Sequence, residues 1–509
     1  MTTPPRPIRF WHQGAVVEVA GPAALSPASP ASPASAPRTV LNWLREDARC
    51  IGTKEGCAEG DCGACTVVVG ELDAFGALTL KPVNACIQFL PTLDGKALFA
   101  VEDVATANSP HGATPHPAQN ALVACHGSQC GFCTPGFVMS LWACYERHQA
   151  AGTVPTRQQL ADDLSGNLCR CTGYRPILDA GQQMFVGPAV LLDRQPVRDA
   201  LQALRADAPL SITGAFHAPR TLAAFAALRA AKPQARVLAG STDIGLWLNK
   251  QFRELGELIY IGNVAELQTV VADASTLHIG AAATLEAAWA ALATEWPSLR
   301  EVGLRFASLP VRSVGTMGGN VANGSPIGDA APVLIALGAR IVLRRGDEGR
   351  SLALEDFYLA YMHNALQPGE FVQAIAVPRR SARPQQVRGY KISKRFDSDI
   401  SAVCMGFSLE LDGENISAVC IACGGLAGTV QRAWQTEAVL RGQPWSEATL
   451  QVAQAALARD FTPLSDMRAS AAYRLQVAQN LLRRAWLETR ATDPLPAHVS
   501  TVWAREETT

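Results

Sequence analysis

The sequence predicts a multidomain α+β protein, and three observations lead to this fold class. The chain has 509 residues, which is too long for one hydrophobic core and indicates about three or four domains. Hydrophobic residues make up 48% and charged residues 17%, a composition typical of globular proteins. Strand-rich, helix-rich and mixed α/β patterns follow one another along the chain.

Charge and hydropathy narrow the class of protein. The formal net charge of -1 gives no long-range field that would attract nucleic acid or an anionic membrane. The sequence contains no run of 18 or more apolar residues, and its first residues lack the apolar core of a signal peptide. We therefore expect a cytoplasmic protein. Eleven of the 14 cysteines lie between Cys50 and Cys171, and clustered cysteines in a reducing compartment indicate metal binding or catalysis.

Residues 1–95 are expected to form a small β-rich domain. The segment IRFWHQGAVVEVAG reads as two short strands around a turn at Gln13-Gly14, and TVVVGEL with ALTLKPVNAC reads as a hairpin. Thr39 is a candidate N-cap for the helix TVLNWLRED. The Pro/Ala/Ser tract at 21–37 cannot build a core and is predicted to be an exposed, semi-extended loop.

This first domain carries a cysteine pattern typical of a metal centre. Three cysteines follow the spacing Cys-x4-Cys-x2-Cys, and a fourth follows after twenty residues: Cys57, Cys62, Cys65 and Cys86. The spacing is that of plant-type 2Fe-2S proteins. Gly56, Gly60 and Gly63 would let the backbone wrap tightly and bring N–H groups to the sulfurs. A structural zinc site of four thiolates is the alternative, and the absence of a βαβ pattern argues against a thioredoxin motif.

Residues 96–185 are expected to form a helical domain with a second cysteine set. Thr134 is a candidate N-cap, Pro135 fits the first helical position, and apolar residues then recur at helical spacing. The segment TRQQLADDLSGNLCRCTGYRPILDAGQQMF reads as two further helices around a turn. The second set has the order Cys-x2-Cys and Cys-x-Cys: Cys130, Cys133, Cys169 and Cys171. Alone it also fits zinc, whereas beside the first set a second 2Fe-2S centre is the better account.

The rest of the chain is predicted to comprise a linker at 186–212, an α/β region at 213–380, and a C-terminal region at 381–490. The last region is expected to open with a three-stranded sheet and continue with helices. The tail 491–509 is predicted to be weakly ordered. Six cysteines lie outside both sets and are expected to be mostly small buried hydrophobic residues: Cys50, Cys125, Cys144, Cys404, Cys420 and Cys423.

Two glycine-rich loops in the α/β region are candidate ligand-binding segments. They are VLAGSTDIG at 237–245 and SVGTMGGNVANGSPIGDAAP at 313–332. The first resembles a strand, a turn and a helix N-terminus, which suits a pyrophosphate. The sequence has neither a Rossmann G-x-G-x-x-G after a strand nor a Walker A motif. From their pattern alone, both segments could equally be ordinary loops.

Four segments carry a resemblance to a known family. GCAEGDCGACTVVV, VNACIQF, HGSQCGFCTPGFVMS and GNLCRCTGYRPI resemble the iron–sulfur half of the xanthine dehydrogenase/aldehyde oxidase family of molybdenum hydroxylases. The resemblance extends to about residue 490, and the order of modules is similar to the small iron–sulfur/FAD subunit of bacterial xanthine dehydrogenases. It implies a β-grasp ferredoxin-like domain, a helical-bundle 2Fe-2S domain, an α+β FAD-binding domain of the molybdenum-hydroxylase flavoprotein type and a C-terminal α/β subdomain.

The resemblance also implies FAD contacts. The matching positions are Val237, Leu238, Ala239, Gly240, Ser241, Thr242, Asp243, Ile244, Phe306, Thr316, Met317, Gly318, Gly319, Asn320, Asp329, Val372 and Lys391. Phe306 would lie by the isoalloxazine ring, and Tyr361 matches a position near the nicotinamide site. Gln129, beside His126, matches a glutamine that meets molybdopterin held by the partner subunit. The alternatives are a core aromatic for Phe306, a helix cap for Asp329, a solvated strand lysine for Lys391 and a plain hydrogen bond for Gln129.

In function, the resemblance implies the electron-transfer subunit of a xanthine dehydrogenase, with no catalytic residue for substrate oxidation on this chain. A large subunit would hold the molybdenum cofactor, two 2Fe-2S clusters and FAD would carry electrons to NAD, and the assembly would be a dimer of heterodimers. We expect the enzyme to oxidise hypoxanthine or xanthine. Oxidation of aldehydes or of aromatic N-heterocycles is the enzymatic alternative, and a zinc-stabilised scaffold is the non-enzymatic one.

Overall fold

The structure is a computed structural model that describes residues 6–21, 37–105, 114–379 and 384–501. Of the predicted Pro/Ala/Ser loop at 21–37, residues 22–36 lie outside the described residues. The described chain contains no helix that is both long and apolar enough to cross a membrane. Contacts divide the chain into unit 1, which comprises Met1–Phe225, Gln234–Asn263 and Ser308–Gly315, and unit 2, which comprises Ala226–Pro233, Val264–Ala307 and Thr316–Thr509.

The strands are β1 Ile8–His12, β2 Ala15–Val19, β3 Thr66–Leu72, β4 Leu78–Asn84, β5 Ala97–Phe99, β6 Ser211–Ile212, β7 Phe216–His217, β8 Arg236–Leu238, β9 Leu258–Tyr260, β10 Val270–Ala272, β11 Thr276–Gly280, β12 Arg340–Arg345, β13 Glu348–Ala353, β14 Tyr358–Ala360, β15 His363–Asn364, β16 Phe371–Pro378, β17 Gln385–Ile392, β18 Val403–Asp412, β19 Asn415–Gly424 and β20 Gln431–Arg432.

The helices are α1 Val40–Glu46, α2 Pro117–Ala124, α3 Thr134–Ala151, α4 Arg157–Asp163, α5 Arg175–Gln183, α6 Arg194–Leu204, α7 Leu222–Ala231, α8 Ile244–Asn249, α9 Leu285–Glu295, α10 Arg300–Arg305, α11 Leu309–Arg312, α12 Met317–Asn323, α13 Ala330–Ala336, α14 Trp434–Leu440, α15 Glu447–Asp460, α16 Ala471–Thr489 and α17 Ala497–Ser500.

The first domain is a five-stranded sheet in the order β2-β1-β5-β3-β4. Strands β1 and β5 run parallel, and the other neighbours are antiparallel. The predicted turn at Gln13-Gly14 is confirmed, with φ angles of 49° and 80° that place both residues in the left-handed region. The Thr39 cap is also confirmed, since its hydroxyl accepts a hydrogen bond from the Asn42 N–H. Thus both predicted hairpins form.

The second region is helical, as predicted, with one boundary that differs. Helix α3 begins at Thr134, so Cys133 is the N-cap, and no side-chain hydrogen bond caps the helix. The prediction of Thr134 as N-cap was therefore wrong by one residue. The Thr134 hydroxyl instead lies 2.7 Å from the hydroxyl of Ser128 in the preceding loop. The chain enters the helix from the cysteine turn, and this turn places the first helical residue one position earlier than the sequence pattern does.

The predicted linker contains helix α6. Its residues Val197, Leu201 and Leu204 recur at helical spacing and are buried in the core of the helical region. Part of the linker is therefore packed rather than merely connecting. The predicted weakly ordered tail also contains a short helix, α17, in its described part. The proposed domain boundaries themselves stay a prediction.

Further along unit 1, a small sheet with the order β6-β7-β9-β8 is built from short strands. Unit 2 contains a five-stranded sheet, β10-β11-β16-β12-β13, and a four-stranded antiparallel sheet, β17-β18-β19-β20. The second of these contains the three predicted strands and adds β20. Its inner face packs on α15 and α16 through residues such as Phe407, Leu457 and Leu482. This burial of apolar side chains stabilises the C-terminal region.

Candidate functional site

The first cysteine set lies at one end of the N-terminal sheet. Cys57, Cys62 and Cys65 belong to the loop between α1 and β3, and Cys86 follows β4. The thiol of Cys57 is in hydrogen-bonding contact with those of Cys62 and Cys86, and Cys86 also contacts Cys65. Cys65 and Cys86 are buried. The structure thus brings together all four residues that the spacing predicted.

Backbone groups surround these sulfurs. The N–H groups of Glu59 and Cys62 lie 3.5 Å and 3.4 Å from the Cys57 sulfur. Gly60 and Gly63 have φ angles of 80° and 69°, which turn the chain around the site. A Cβ on Gly56 would lie 2.9 Å from the Cys62 sulfur. The glycines therefore provide the turn and the space, while the N–H groups aimed at Cys57 come from Glu59 and Cys62.

Contacts among the sulfurs of the first set shift the pKa values of three of them. Hydrogen bonds from Cys62 and Cys86 shift the pKa of Cys57 far below its usual range. The contact with Cys57 raises the pKa of Cys62, and contacts with Cys57 and Cys65 raise that of Cys86. Crowded thiols of this kind can all ionise only when cations neutralise them, so the donor set fits a metal centre with four thiolates.

The second set lies on the turns that open two helices. Cys130 and Cys133 precede α3, and Cys169 and Cys171 precede α5. Cys133 contacts Cys169, and Cys130 contacts Cys171. Burial and then the contact with Cys169 raise the pKa of Cys133 to about 12. The Thr172 hydroxyl donates a hydrogen bond of 3.2 Å to the Cys169 sulfur. The structure thus also brings the four cysteines of this set together.

The two sets are joined through the backbone of their loops. The Leu168 N–H donates a hydrogen bond of 3.0 Å to the carbonyl oxygen of Cys62. Buried Asn167 donates to the carbonyl oxygen of Gly63 at 3.1 Å. On the other side, a Cβ added to Gly136 in α3 would lie 2.1 Å from that same oxygen, so α3 packs directly on the first loop. The sequence analysis did not single out Asn167, although it stands inside the GNLCRC segment.

A further contact links the first set to the first glycine-rich loop. The Asn249 side chain, at the end of α8, donates hydrogen bonds to the carbonyl oxygens of Ala58 at 3.1 Å and Cys86 at 2.7 Å. A Cβ on Gly245 would lie 2.8 Å from the carbonyl oxygen of Ile87. Helix α8 therefore packs on the residues around Cys86. Sequence reasoning missed Asn249, because no local pattern marks it.

Loop 237–245 has features of an anion cradle. The side-chain oxygen of Ser241 is buried and has no hydrogen-bond partner among the described residues. Ser241 has a φ of 63°, and no described residue accepts a hydrogen bond from the N–H groups of Ser241, Thr242 or Asp243. Gly240 is needed for packing, since a Cβ there would lie 1.9 Å from the Val314 carbonyl oxygen. The buried, unpartnered Ser241 hydroxyl and the N–H groups beside it fit a polar ligand.

Loop 316–320 differs from loop 237–245, because its backbone N–H groups already have hydrogen-bond acceptors within the protein. The N–H groups of Met317 and Gly318 donate to Ala283 and Ala281, and that of Asn320 donates to Thr316. The Gly319 N–H donates to the Thr316 hydroxyl, which caps α12. A Cβ on Gly318 would lie 2.5 Å from the Ala281 carbonyl oxygen. The close backbone approach at Gly318 is thus to the protein itself, and the amides of this loop are already hydrogen-bonded.

Asp329 and Lys391 form a buried ion pair. Lys391 Nζ lies 2.5 Å from Asp329 Oδ2 and 2.9 Å from the Ser401 hydroxyl, which donates to Asp329 Oδ1 at 2.6 Å. The expectation of a solvated lysine is wrong, since Lys391 is 3% exposed. The helix-cap alternative for Asp329 is also wrong, because its side chain makes no cap hydrogen bond on α13. The sequence analysis did not identify Ser401, which lies between β17 and β18.

The other predicted residues of unit 2 are spread over buried and exposed positions. Phe306 is buried with its ring centroid 5.9 Å from that of Trp289, as the core alternative expects. Val372 is buried in the same core, whereas Tyr361 is 69% exposed. In unit 1, Gln129 is exposed beside Cys130. Their assigned ligand contacts stay predictions.

Most cysteines outside the two sets are buried, as predicted: Cys50, Cys144, Cys404 and Cys423. Burial raises the pKa of the Cys50 thiol to about 11, which makes it unreactive. Cys420 and Cys423 lie on strand β19, where residues three apart point to opposite faces, so they do not form a metal knuckle. Cys144 has polar neighbours, His148 and Asp163, that the sequence analysis did not connect with it.

Three protein families match the chain. Residues 100–182 match a [2Fe-2S] binding domain, residues 210–380 match the FAD binding domain in molybdopterin dehydrogenase, and residues 388–489 match the CO dehydrogenase flavoprotein C-terminal domain. The matched 2Fe-2S domain contains the whole second cysteine set. The first glycine-rich loop lies within the matched FAD domain.

Relatives and solved structures agree with these matches. The chain is 30% identical to a xanthine dehydrogenase of Emericella nidulans over 83% of its length, and 31% identical to one of Drosophila subobscura over 88%. It is also 30% identical to aldehyde oxidase 4 of Cavia porcellus over 81%. The chain spans 35%, 37% and 35% of the length of these relatives, so it corresponds to about a third of each.

Among solved structures, a chain of Cu,Mo-CO dehydrogenase in its cyanide-inactivated form is similar with a TM-score of 0.50 and 27% identity. A chain of carbon monoxide dehydrogenase from Hydrogenophaga pseudoflava gives 0.50 and 26%. Both similarities cover 53% of this chain and 94% of the other. Together with the paired cysteine sets, these matches show that the chain belongs to the molybdenum hydroxylase family, of which it carries the 2Fe-2S-binding and FAD-binding domains.

Proposed function

We propose that this chain is the electron-transfer subunit of a xanthine dehydrogenase, holding two 2Fe-2S clusters and one FAD. The observation that carries the proposal is the order of contacts in unit 1. The second cysteine set contacts the first through Leu168 and Asn167. The first set contacts Asn249, at the end of helix α8, which follows the first glycine-rich loop. When bound, iron–sulfur clusters exchange single electrons, and a flavin can combine two of them with a proton into the hydride that NAD accepts.

Each protein segment has a defined task in this proposal. The eight cysteines of the two sets hold the irons, and the N–H groups of Glu59 and Cys62 stabilise negative charge on sulfur. Asn167 and Asn249 fix the spacing between successive sites by binding backbone oxygens. Rigid spacing matters because electron transfer requires cofactors at short and constant distances. A zinc scaffold would not need these links.

The second set is the proposed entry point for electrons. Cys130 and Cys171 are exposed, and so are the neighbouring side chains of Phe132 and Tyr174. Gln129, on the same turn, is the residue we propose to meet molybdopterin on the partner subunit. A large subunit holding the molybdenum cofactor, assembled with this chain as a dimer of heterodimers, would complete the enzyme.

The proposed FAD contacts are those implied by the resemblance. In unit 1, the unpartnered Ser241 hydroxyl and the N–H groups of Ser241–Asp243 would bind phosphate oxygens. In unit 2, two hydrogen bonds from the Lys391 ammonium group go to Asp329 and Ser401, which leaves a third proton for a flavin oxygen. Loop 316–320 would contribute side chains and carbonyl oxygens, because its amides from Met317 to Asn320 are already bonded.

Xanthine is preferred as the substrate because relatives named xanthine dehydrogenase match more than four fifths of the chain at 30–31% identity. Aldehyde oxidation is the second candidate, supported by 30% identity to aldehyde oxidase 4. The test is to copurify the chain with its partner and to assay xanthine, benzaldehyde and nicotinate with NAD. NADH formation from xanthine alone supports the proposal, and activity only on another substrate refutes it.

A variant separates the role of this chain from that of its partner. Cys171→Ser would remove a ligand from the second set while leaving the flavin domain unchanged. We expect it to abolish xanthine-dependent NADH formation but to retain transfer of electrons from NADH to an artificial dye through the flavin. Cys420→Ser, a cysteine outside both sets, is the matched control and should retain both reactions. Loss of neither reaction in Cys171→Ser would contradict the proposed route.

A further inference from the structure

A third group of metal-binding side chains lies in the helical region, outside both cysteine sets. Cys144 and His148 are four residues apart on α3 and so share one face of the helix. Asp163 is the last residue of α4. The Cys144 sulfur, one imidazole nitrogen of His148 and one carboxylate oxygen of Asp163 all lie within 4.8 Å of one another. Three different donor atoms therefore converge on one point between two helices.

Neighbouring groups hold these side chains in place. The Nδ1 atom of His148 lies 2.8 Å from the Thr153 hydroxyl, and the ring lies edge-on to Phe185 at a centroid distance of 6.2 Å. Arg147 forms an ion pair with Asp163 through one carboxylate oxygen. Such partners restrict the rotation of a ligand and are typical of protein metal sites. Cys144 itself is 1% exposed.

We propose that Cys144, His148 and Asp163 bind one zinc ion. Thiolate, imidazole and carboxylate are the three ligand types that zinc takes in proteins, at distances of about 2.0–2.3 Å. In a tetrahedral site such ligands stand about 3.5 Å apart, so small side-chain movements would complete the geometry. A water molecule or a further side chain would take the fourth position. Calcium and magnesium are disfavoured, because they require oxygen ligands throughout.

The site would serve the fold of the helical region. It would join α3, which begins directly after Cys133, to α4, whose end leads into the loop that carries Cys169. The two halves of the second cysteine set would thereby be fixed relative to each other by a metal that takes no part in electron transfer. This inference does not depend on the proposed function, because it concerns only these three side chains.

The test measures zinc and iron in the same sample of the full chain. Iron-loaded protein is treated with a chelator, incubated with zinc chloride, desalted and subjected to elemental analysis. We expect wild type to retain about one zinc ion per chain more than His148→Gln or Asp163→Asn. Zinc should also raise the melting temperature of wild type and leave that of His148→Gln unchanged. His278→Gln and Cys420→Ser are the matched controls and should bind zinc like wild type.

Three outcomes would overturn the inference. Wild type could retain no zinc, or His148→Gln could retain as much as wild type. Zinc uptake could also be accompanied by an equal loss of iron, which would place zinc at the two cysteine sets instead. Because His148 is partly exposed, its replacement by glutamine should leave the fold intact, and the iron content of the variant checks this.

Discussion

Lys391 and Asp329 form an ion pair of 2.5 Å in which the two side chains are only 1% and 6% exposed. The residues are 62 positions apart, on β17 and directly before α13, and Ser401 bonds to both of them. Withdrawing two charges from water is costly, and the pair is maintained only while both partners are present. The pair therefore ties the C-terminal sheet to α13 within unit 2.

We expect Lys391→Met to destabilise unit 2 by about 3–5 kcal/mol, because Asp329 would remain as a buried charge without a partner. Scanning calorimetry of the full chain would measure this as a lower melting temperature, and released flavin would be measured by fluorescence. The double variant with Asp329→Leu should recover part of the loss. Lys394→Met is the control, since Lys394 is exposed and donates to the Met467 carbonyl oxygen. A Lys391→Met protein that melts like wild type would contradict this account.

Asn167 is predicted to be essential for the link between the two cysteine sets. It donates hydrogen bonds to Gly63 and Thr66 and accepts one from Ser140, all in the interior. Asn167→Leu would remove all three bonds. Thr66 would still donate to the Gly63 carbonyl oxygen, but the Ser140 hydroxyl would lose its acceptor, at an expected cost of about 2–4 kcal/mol. If both sets hold paramagnetic clusters, electron paramagnetic resonance should show a weaker spin coupling between them. The exposed Asn120 provides a control in Asn120→Leu, and identical spectra for wild type and Asn167→Leu would refute the prediction.

The identity of the metal at the first set follows from an iron count. We expect about four irons per chain in wild type and about two in Cys57→Ser, because each 2Fe-2S cluster requires four ligands. The same preparation should contain flavin beside the 2Fe-2S clusters, and the two together should make it brown. Cys420→Ser should retain the wild-type iron content. Stoichiometric zinc with little iron in anaerobically prepared wild type would instead favour the scaffold alternative.

The stability of the helical region should depend on pH through His116. This residue caps α2, and its Nδ1 atom accepts a hydrogen bond of 3.1 Å from the Ala118 N–H, which requires a neutral ring. Burial lowers the pKa of His116, and its ring packs on Tyr145. As pH falls, His116 therefore takes up a proton at a higher pH in the unfolded chain than in the folded one. The contribution of the neutral ring to the free energy of unfolding is complete above about pH 6.5 and decreases below it.

A substitution isolates this contribution. His116→Asn keeps a capping side chain but removes the titrating group. When the pH is lowered from 7.5 to 5.5, the melting temperature of wild type should fall more than that of His116→Asn. A difference that stays constant over this range would show that His116 does not titrate with unfolding.

Local patterns were sufficient to predict much of this protein. The spacing of the eight cysteines predicted two sets, and the structure brings the members of each set together. The two hairpins and the Thr39 cap were found because each depends on residues close in sequence. Helix α6 could also have been found, because Val197, Leu201 and Leu204 follow helical spacing within the segment read as a linker.

The sequence by itself determined the two sets of four cysteines, the succession of strand-rich and helical regions, and the resemblance to the family. Only the tertiary structure decided which groups meet across long separations: Asn167 with Gly63, Asn249 with Cys86, and Lys391 with Asp329. It also showed that the amides from Met317 to Asn320, in the second glycine-rich loop, are already bonded within unit 2. The physical reason is that a hydrogen bond between distant residues depends on how whole elements pack, and no local periodicity encodes that packing.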